Sequence, residues 1–159
     1  MNIAIYPGSF DPITLGHLDI IRRASHCFDK VLVCVMVNCA KVQPMFSQER
    51  RLELIRESVA EFPNVEVELW NGLLADYAAL RNAHIIVKGV RNVSDFDAEM
   101  QMARINNGIS PDLETVLLPA SAEYAHFSST MAREMIRYGQ PLEKYVPAAV
   151  AAELKDRKE

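Results

Sequence analysis

Apolar positions along this chain follow two periods, and the switches between them mark out its elements. Ile3-Ala-Ile5, Val31-Leu-Val-Cys-Val-Met-Val37 and Ile85-Ile-Val87 are unbroken apolar runs, as expected of strands covered on both faces. Val65-Glu-Val-Glu-Leu-Trp70 instead alternates apolar and charged residues, which predicts a strand with one wetter face near a sheet edge. Thr115-Val-Leu-Leu118, stopped by Pro119, predicts the last strand. Between these runs the period becomes helical. Leu18, Ile20, Ile21, Ala24 and Phe28 form one stripe, and Leu52, Leu54, Ile55 and Val59 form another behind a Ser47 cap. Leu73 to Leu80 predicts a short helix. Ser94 with Asp97 predicts a capped helix to about Asn107. Ser128-Ser-Thr130 opens a helix ending near Gly139, and Pro147 precedes a terminal helix from Ala148 to Lys155.

Five strands alternating with helices predict an α/β fold: a single doubly wound, Rossmann-like domain with a five-stranded parallel sheet over residues 1–159, the Val31 run lying centrally. In open sheets of this kind a ligand sits beyond the carboxyl ends of the strands, where strand order reverses. The loops at that edge carry Gly8 to His17, Asn38 to Phe46, Asn71 to Leu74, Lys88 to Arg91 and Ala120 to Thr130. His17, Lys41, Lys88 and Arg91 are therefore predicted to share one rim.

Composition narrows the ligand. With 159 residues, half of them apolar, the chain can bury one compact core. A net charge of −4 argues against a general nucleic-acid binder, so any anion must be met by a local cationic cluster. Cys27, Cys34 and Cys39 form no Cys-x-x-Cys pair and read as structural thiols of a reducing compartment. No apolar run is long enough to span a bilayer, and a cytoplasmic protein is expected.

The stretch Tyr6-Pro-Gly-Ser-Phe-Asp-Pro-Ile-Thr-Leu-Gly-His17 joins the first strand to the first helix. A helix start offers free N–H groups and the positive end of its dipole, and an imidazole there adds a directed donor, an arrangement suited to phosphate. Taken alone, the motif is equally compatible with an ordinary turn and helix start. Gly-Ser-Phe-Asp-Pro-Ile-Thr-x-Gly-His is similar to the (His/Thr)-x-Gly-His signature of the nucleotidyltransferase superfamily. Gly72-Leu-Leu-Ala-Asp-Tyr-Ala78, Pro44-Met-Phe46, the segment 90–103 and Tyr145-Val-Pro147 extend the likeness over nearly the whole chain. Within the superfamily the chain resembles the bacterial phosphopantetheine adenylyltransferases. Thr14 in place of the first histidine, the short length and Pro44-Met-Phe46 favour that family over the nicotinate-mononucleotide adenylyltransferases.

The resemblance implies transfer of AMP from ATP to 4'-phosphopantetheine, giving 3'-dephospho-CoA and pyrophosphate. It implies His17 and Lys41 as the catalytic pair. Implied ATP contacts are Ser9, Phe10, His17, Gly89, Val90, Arg91, Glu99, Tyr124, Ala125, His126, Phe127, Ser128, Ser129 and Thr130. Implied phosphopantetheine contacts are Ser9, Lys41, Leu74 and Lys88. Magnesium bound with ATP, a homohexamer and feedback inhibition by CoA follow from the same likeness. No membrane or nucleic-acid partner is expected. The chain departs from the family's usual residues at Ser9 (threonine is common), Lys88 (arginine is usual) and Ala125-His-Phe127 (Ser-Phe-Ile is more usual). The residues themselves show no Gly-x-Ser-x-Gly, no His-Glu-x-x-His and no Gly-x-x-x-x-Gly-Lys-[Ser/Thr]. Asp11, Asp95, Asp97 and Glu99 form no evident metal cage. In-line attack without a covalent enzyme intermediate is the chemistry that remains, with the protein supplying position and charge. A regulatory nucleotide-binding module without catalysis is the alternative of a different class.

Overall fold

A computed structural model describes residues 1–37 and 44–156. Five parallel strands, β1 (Ile3–Gly8), β2 (Lys30–Met36), β3 (Val65–Trp70), β4 (Ile85–Val90) and β5 (Glu114–Pro119), form one sheet in the order β3-β2-β1-β4-β5. The helices are α1 (Leu15–Cys27), α2 (Gln48–Ser58), α3 (Leu74–Leu80), α4 (Val93–Ile109), α5 (Ser129–Arg137) and α6 (Ala148–Asp156). The alternating run does form an edge strand, β3. The long apolar run of β2 is interior, but β1 takes the centre by pairing with both β2 and β4.

The period of two along the strands separates two cores. Ala4, Tyr6, Val31, Val33 and Val35 face one layer, packing with Ile20 and Ile21 of α1, Leu54 and Ile55 of α2, and Val150 and Leu154 of α6. Ile5, Leu32, Cys34 and Ile86 face the other, against Ala75, Tyr77 and Ala78 of α3 and Leu113. Helix α4 covers β4 and β5. Strand order reverses between β1 and β4, and this is where the loops after those strands part.

Four element ends differ from their sequence patterns. Helix α4 begins at Val93, capped by Asn92 rather than Ser94: the Asn92 side-chain oxygen accepts from the Asp95 N–H at 2.9 Å. Asparagine is among the strongest N-caps, and its position starts the helix two residues earlier. Strand β4 continues past Val87 to Val90, because Lys88, Gly89 and Val90 pair with Leu117, Leu118 and Pro119 of β5. Strand β1 likewise runs to Gly8 alongside Val35. Helix α5 stops at Arg137. Gly139 has φ +66 and donates to the Ile136 carbonyl, and Gln140 donates to Met135, the paired bonds of a left-handed helix end.

Candidate active site at the strand-order switch

A cavity of about 300 Å³ opens beyond the carboxyl ends of β1 and β4. Its wall brings together twelve residues singled out in the sequence: Ser9, Phe10, His17, Lys88, Gly89, Arg91, Glu99, Tyr124, Phe127, Ser128, Ser129 and Thr130. Val90, Ala125 and His126 are not among its lining residues. His126 instead sets its ring edge against Tyr145, and Phe127 stacks on the same ring at 4.2 Å. Leu74 lines a smaller cavity of about 60 Å³ that shares Pro7, Lys88 and Glu99 with the larger one. Lys41 lies outside the described residues.

His17 is placed by its own helix cap. Thr14 is the N-cap of α1; its hydroxyl accepts from the His17 N–H at 3.3 Å, and its own N–H donates to His17 Nδ1 at 3.1 Å. Phe10 packs edge-on against the imidazole at 5.1 Å. Burial, with Arg91 and then Lys88 nearby, pushes the imidazole from an ordinary 6.5 down to about 4, so it is neutral at pH 7. Gly8 is required by this packing, since a Cβ there would meet the Phe10 ring at 2.9 Å.

The two cations at the end of β4 are each held by a carboxylate of α4. Arg91 donates to Asp95 through Nε at 2.8 Å and Nη2 at 3.2 Å, and Lys88 Nζ lies 3.0 Å from Glu99. Asp95 and Glu99 are four residues apart, so they stand on one face of the helix, one turn from each other. Asp95 is held below the usual carboxylate range, chiefly by its hydrogen bond from Arg91. Among the described residues, no group of three or more His, Cys, Asp or Glu side chains is placed to hold a metal ion.

Two contributors were not singled out from the sequence. Arg133 lines the cavity, donating to the Asp11 carbonyl at 2.8 Å and to Thr130 Oγ1 at 3.1 Å. Its signal was available: Thr130 and Arg133 are three apart in a helix that Ser128 caps through the Met131 N–H. Asp19, 5% exposed, accepts from Ser121 Oγ at 2.6 Å, from Arg22 at 2.7 Å and from Arg23 at 3.3 Å. It thereby ties the loop after β5, which carries Tyr124 to Ser128, to the helix that carries His17. That contact spans 102 residues of sequence and leaves no local pattern.

Residues 5–135 match the family described as cytidylyltransferase-like. The chain is 46% identical over 157 residues to the phosphopantetheine adenylyltransferase of Caldanaerobacter subterraneus subsp. tengcongensis, covering 99% of this chain and 98% of the relative. It is 50% identical over 154 residues to that of Synechococcus elongatus, covering 97% and 92%. The crystal structure of a Vibrio parahaemolyticus protein described as a nicotinate-nucleotide adenylyltransferase superposes with a TM-score of 0.69 over 99% of this chain and 94% of the other. At 21% identity that likeness shows the fold alone. Matched over nearly its full length, the chain belongs to the phosphopantetheine adenylyltransferase family of cytidylyltransferase-like proteins.

Proposed function

We propose that this chain moves the AMP group of ATP onto the phosphate of 4'-phosphopantetheine, releasing pyrophosphate and forming 3'-dephospho-CoA, a step of CoA biosynthesis. The observation that carries the reading is the placement of His17, Lys88 and Arg91 on one cavity at the strand-order switch. The acceptor's phosphate oxygen attacks the α-phosphorus in line as the bond to the pyrophosphate oxygen breaks, so no covalent enzyme intermediate is formed. His17 donates Nε2–H to an α-phosphoryl oxygen as charge builds there, with Lys41 as its catalytic partner. Arg91, Arg133 and the N-terminus of α5 suit the β and γ phosphates. Lys88, shared by the large cavity and the one lined by Leu74, suits the acceptor's phosphate.

Magnesium enters as part of the substrate, MgATP, held by phosphate oxygens and water, since Asp95 and Glu99 are engaged by Arg91 and Lys88. A homohexamer and feedback inhibition by CoA rest on the family likeness. Met102, Ile105 and Ile109, exposed at helical spacing on α4, give an assembly interface apolar surface to bury. A cytoplasmic location fits substrates of central metabolism, and among the described residues no helix is long and apolar enough to cross a membrane.

The test is to incubate the protein and MgATP with 4'-phosphopantetheine or with nicotinate mononucleotide and to follow pyrophosphate. Release with the first acceptor alone supports the reading. Release with the second alone, or with neither, overturns it.

A further inference from the structure

Arg51, on α2, is 5% exposed, and no carboxylate lies within ion-pair distance of it among the described residues. Its Nε is buried with no hydrogen-bond partner, while Nη1 donates to the Ser9 carbonyl at 2.7 Å. Burying a guanidinium without a countercharge costs stability, so packing alone does not account for arginine at this position. The acceptor it holds belongs to the peptide between Ser9 and Phe10, both of which line the cavity.

That peptide is trans, the cis bond of the loop being Asp11-Pro12, so its C=O and N–H point in opposite directions. Arg51 is not among the cavity's lining residues, whereas Ser9 and Phe10 are. A carbonyl drawn toward Arg51 therefore turns the Phe10 N–H away from Arg51. Phe10 meanwhile sits at φ +47, a conformation that a non-glycine residue keeps only when its surroundings impose it. Ser129 Oγ holds the Pro12 carbonyl at 2.8 Å and Arg133 the Asp11 carbonyl, so the carbonyls of Ser9, Asp11 and Pro12 are engaged by donors from α2 and α5.

We propose that Arg51 is a positioning residue for adenylyl transfer: acting through the Ser9 carbonyl, it aims the Phe10 N–H at the phosphoryl group being transferred. The inference rests on the transfer reading above and adds a residue outside the cavity to it. Arg51 touches no substrate. It fixes a donor that would otherwise have to reorient as charge develops on the phosphoryl oxygens.

The experiment compares Arg51→Met, Arg51→Lys and the unaltered protein in two measurements. In steady-state kinetics, Arg51→Met is expected to lower kcat about 10- to 100-fold, less than the ~10²–10³ of losing a donor outright, with the KM for ATP within about threefold. Arg51→Lys should recover most of kcat, since an ammonium can still reach the carbonyl. In amide NMR, titration with inorganic pyrophosphate should shift the Phe10 N–H of the unaltered protein and of Arg51→Lys but hardly that of Arg51→Met. A folded Arg51→Met with unaltered kcat and an unaltered Phe10 response overturns the proposal. So does an Arg51→Lys as defective as Arg51→Met, which would mark a purely structural role. If Arg51→Met does not fold, Arg51→Leu, which likewise carries no donor, takes its place with the same expectations. Should the unaltered protein release no pyrophosphate with 4'-phosphopantetheine, the transfer reading fails, while the titration still decides whether Arg51 orients the Phe10 amide.

Discussion

The Thr14 N–H donates to Nδ1 of His17 at 3.1 Å, and this bond settles which imidazole nitrogen carries the hydrogen. With Nδ1 accepting, the neutral ring must be protonated at Nε2. The helix cap thus presents a neutral donor to the cavity in its correct tautomer before any phosphate arrives.

Replacing His17 by Ala is expected to lower kcat by ~10²–10³ while leaving the KM for ATP little changed, because the donor acts mainly on charge that builds in the transition state. Thr14→Ala should behave differently. It removes the hydroxyl of the cap but keeps the backbone N–H on Nδ1, so the loss is about 1 kcal/mol of stability, with activity far closer to normal. Thermal melts beside steady-state kinetics separate the two outcomes, and a Thr14→Ala variant as slow as His17→Ala would refute the tautomer argument.

Proton linkage gives an independent check. The folded-state value of His17, about 4, lies below its ordinary 6.5, so between those values the unfolded chain binds more protons at this site. The contribution of a neutral His17 to stability is therefore complete above about pH 6.5 and is lost as the pH falls toward 4. An anion seated against the imidazole favours its charged form. Binding of inorganic pyrophosphate near pH 5.5 should take up protons, seen calorimetrically as a heat that varies with the buffer's ionisation enthalpy, and His17→Gln should abolish most of that dependence.

Lys88 and Glu99 are half-buried partners, so truncating one leaves the other uncompensated. Lys88→Met should raise the KM for 4'-phosphopantetheine about 10- to 100-fold, the equivalent of one hydrogen bond to a charged group, with a smaller effect on the KM for ATP. Lys88→Arg keeps the charge and adds a forked donor, and is expected to retain activity. Acceptor titrations at fixed MgATP measure both.

Asp19 holds Ser121 on a loop whose other end forms the cavity wall. Asp19→Asn weakens that lock and should raise the KM for ATP several-fold with a smaller change in kcat, because the chemistry at His17 is left in place. Fluorescent-nucleotide binding would show the same loss without turnover. A variant with unaltered nucleotide affinity would show that the loop is held by other contacts.

Gly8→Ala tests the packing behind the imidazole. The added methyl must displace the Phe10 ring, which itself supports His17, so stability should fall by about 1–3 kcal/mol, as for other overpacked interiors, and kcat should fall with it.

What the chain's linear pattern determined is whatever depends on neighbours in sequence. The unbroken runs of β2 and β4, the alternating edge strand β3, the Ser47 and Ser128 caps and the turn from β1 into α1 all follow from period and local chemistry. Parallel pairing of those elements then placed Ser9, His17, Lys88, Arg91 and Ser128 at one edge of the sheet, as their positions after strands implied. Only the tertiary structure decided the rest. The extension of β4 through Lys88 depends on β5 lying alongside it. The turning of His126 and Phe127 toward Tyr145 depends on the chain that follows α5. The contacts of Asp19 with Ser121, Arg133 with Asp11 and Arg51 with Ser9 join residues 42 to 122 positions apart. A hydrogen bond between distant segments follows from how helices seat on the sheet, and that seating is set by the packing of two whole cores rather than by any local run of residues.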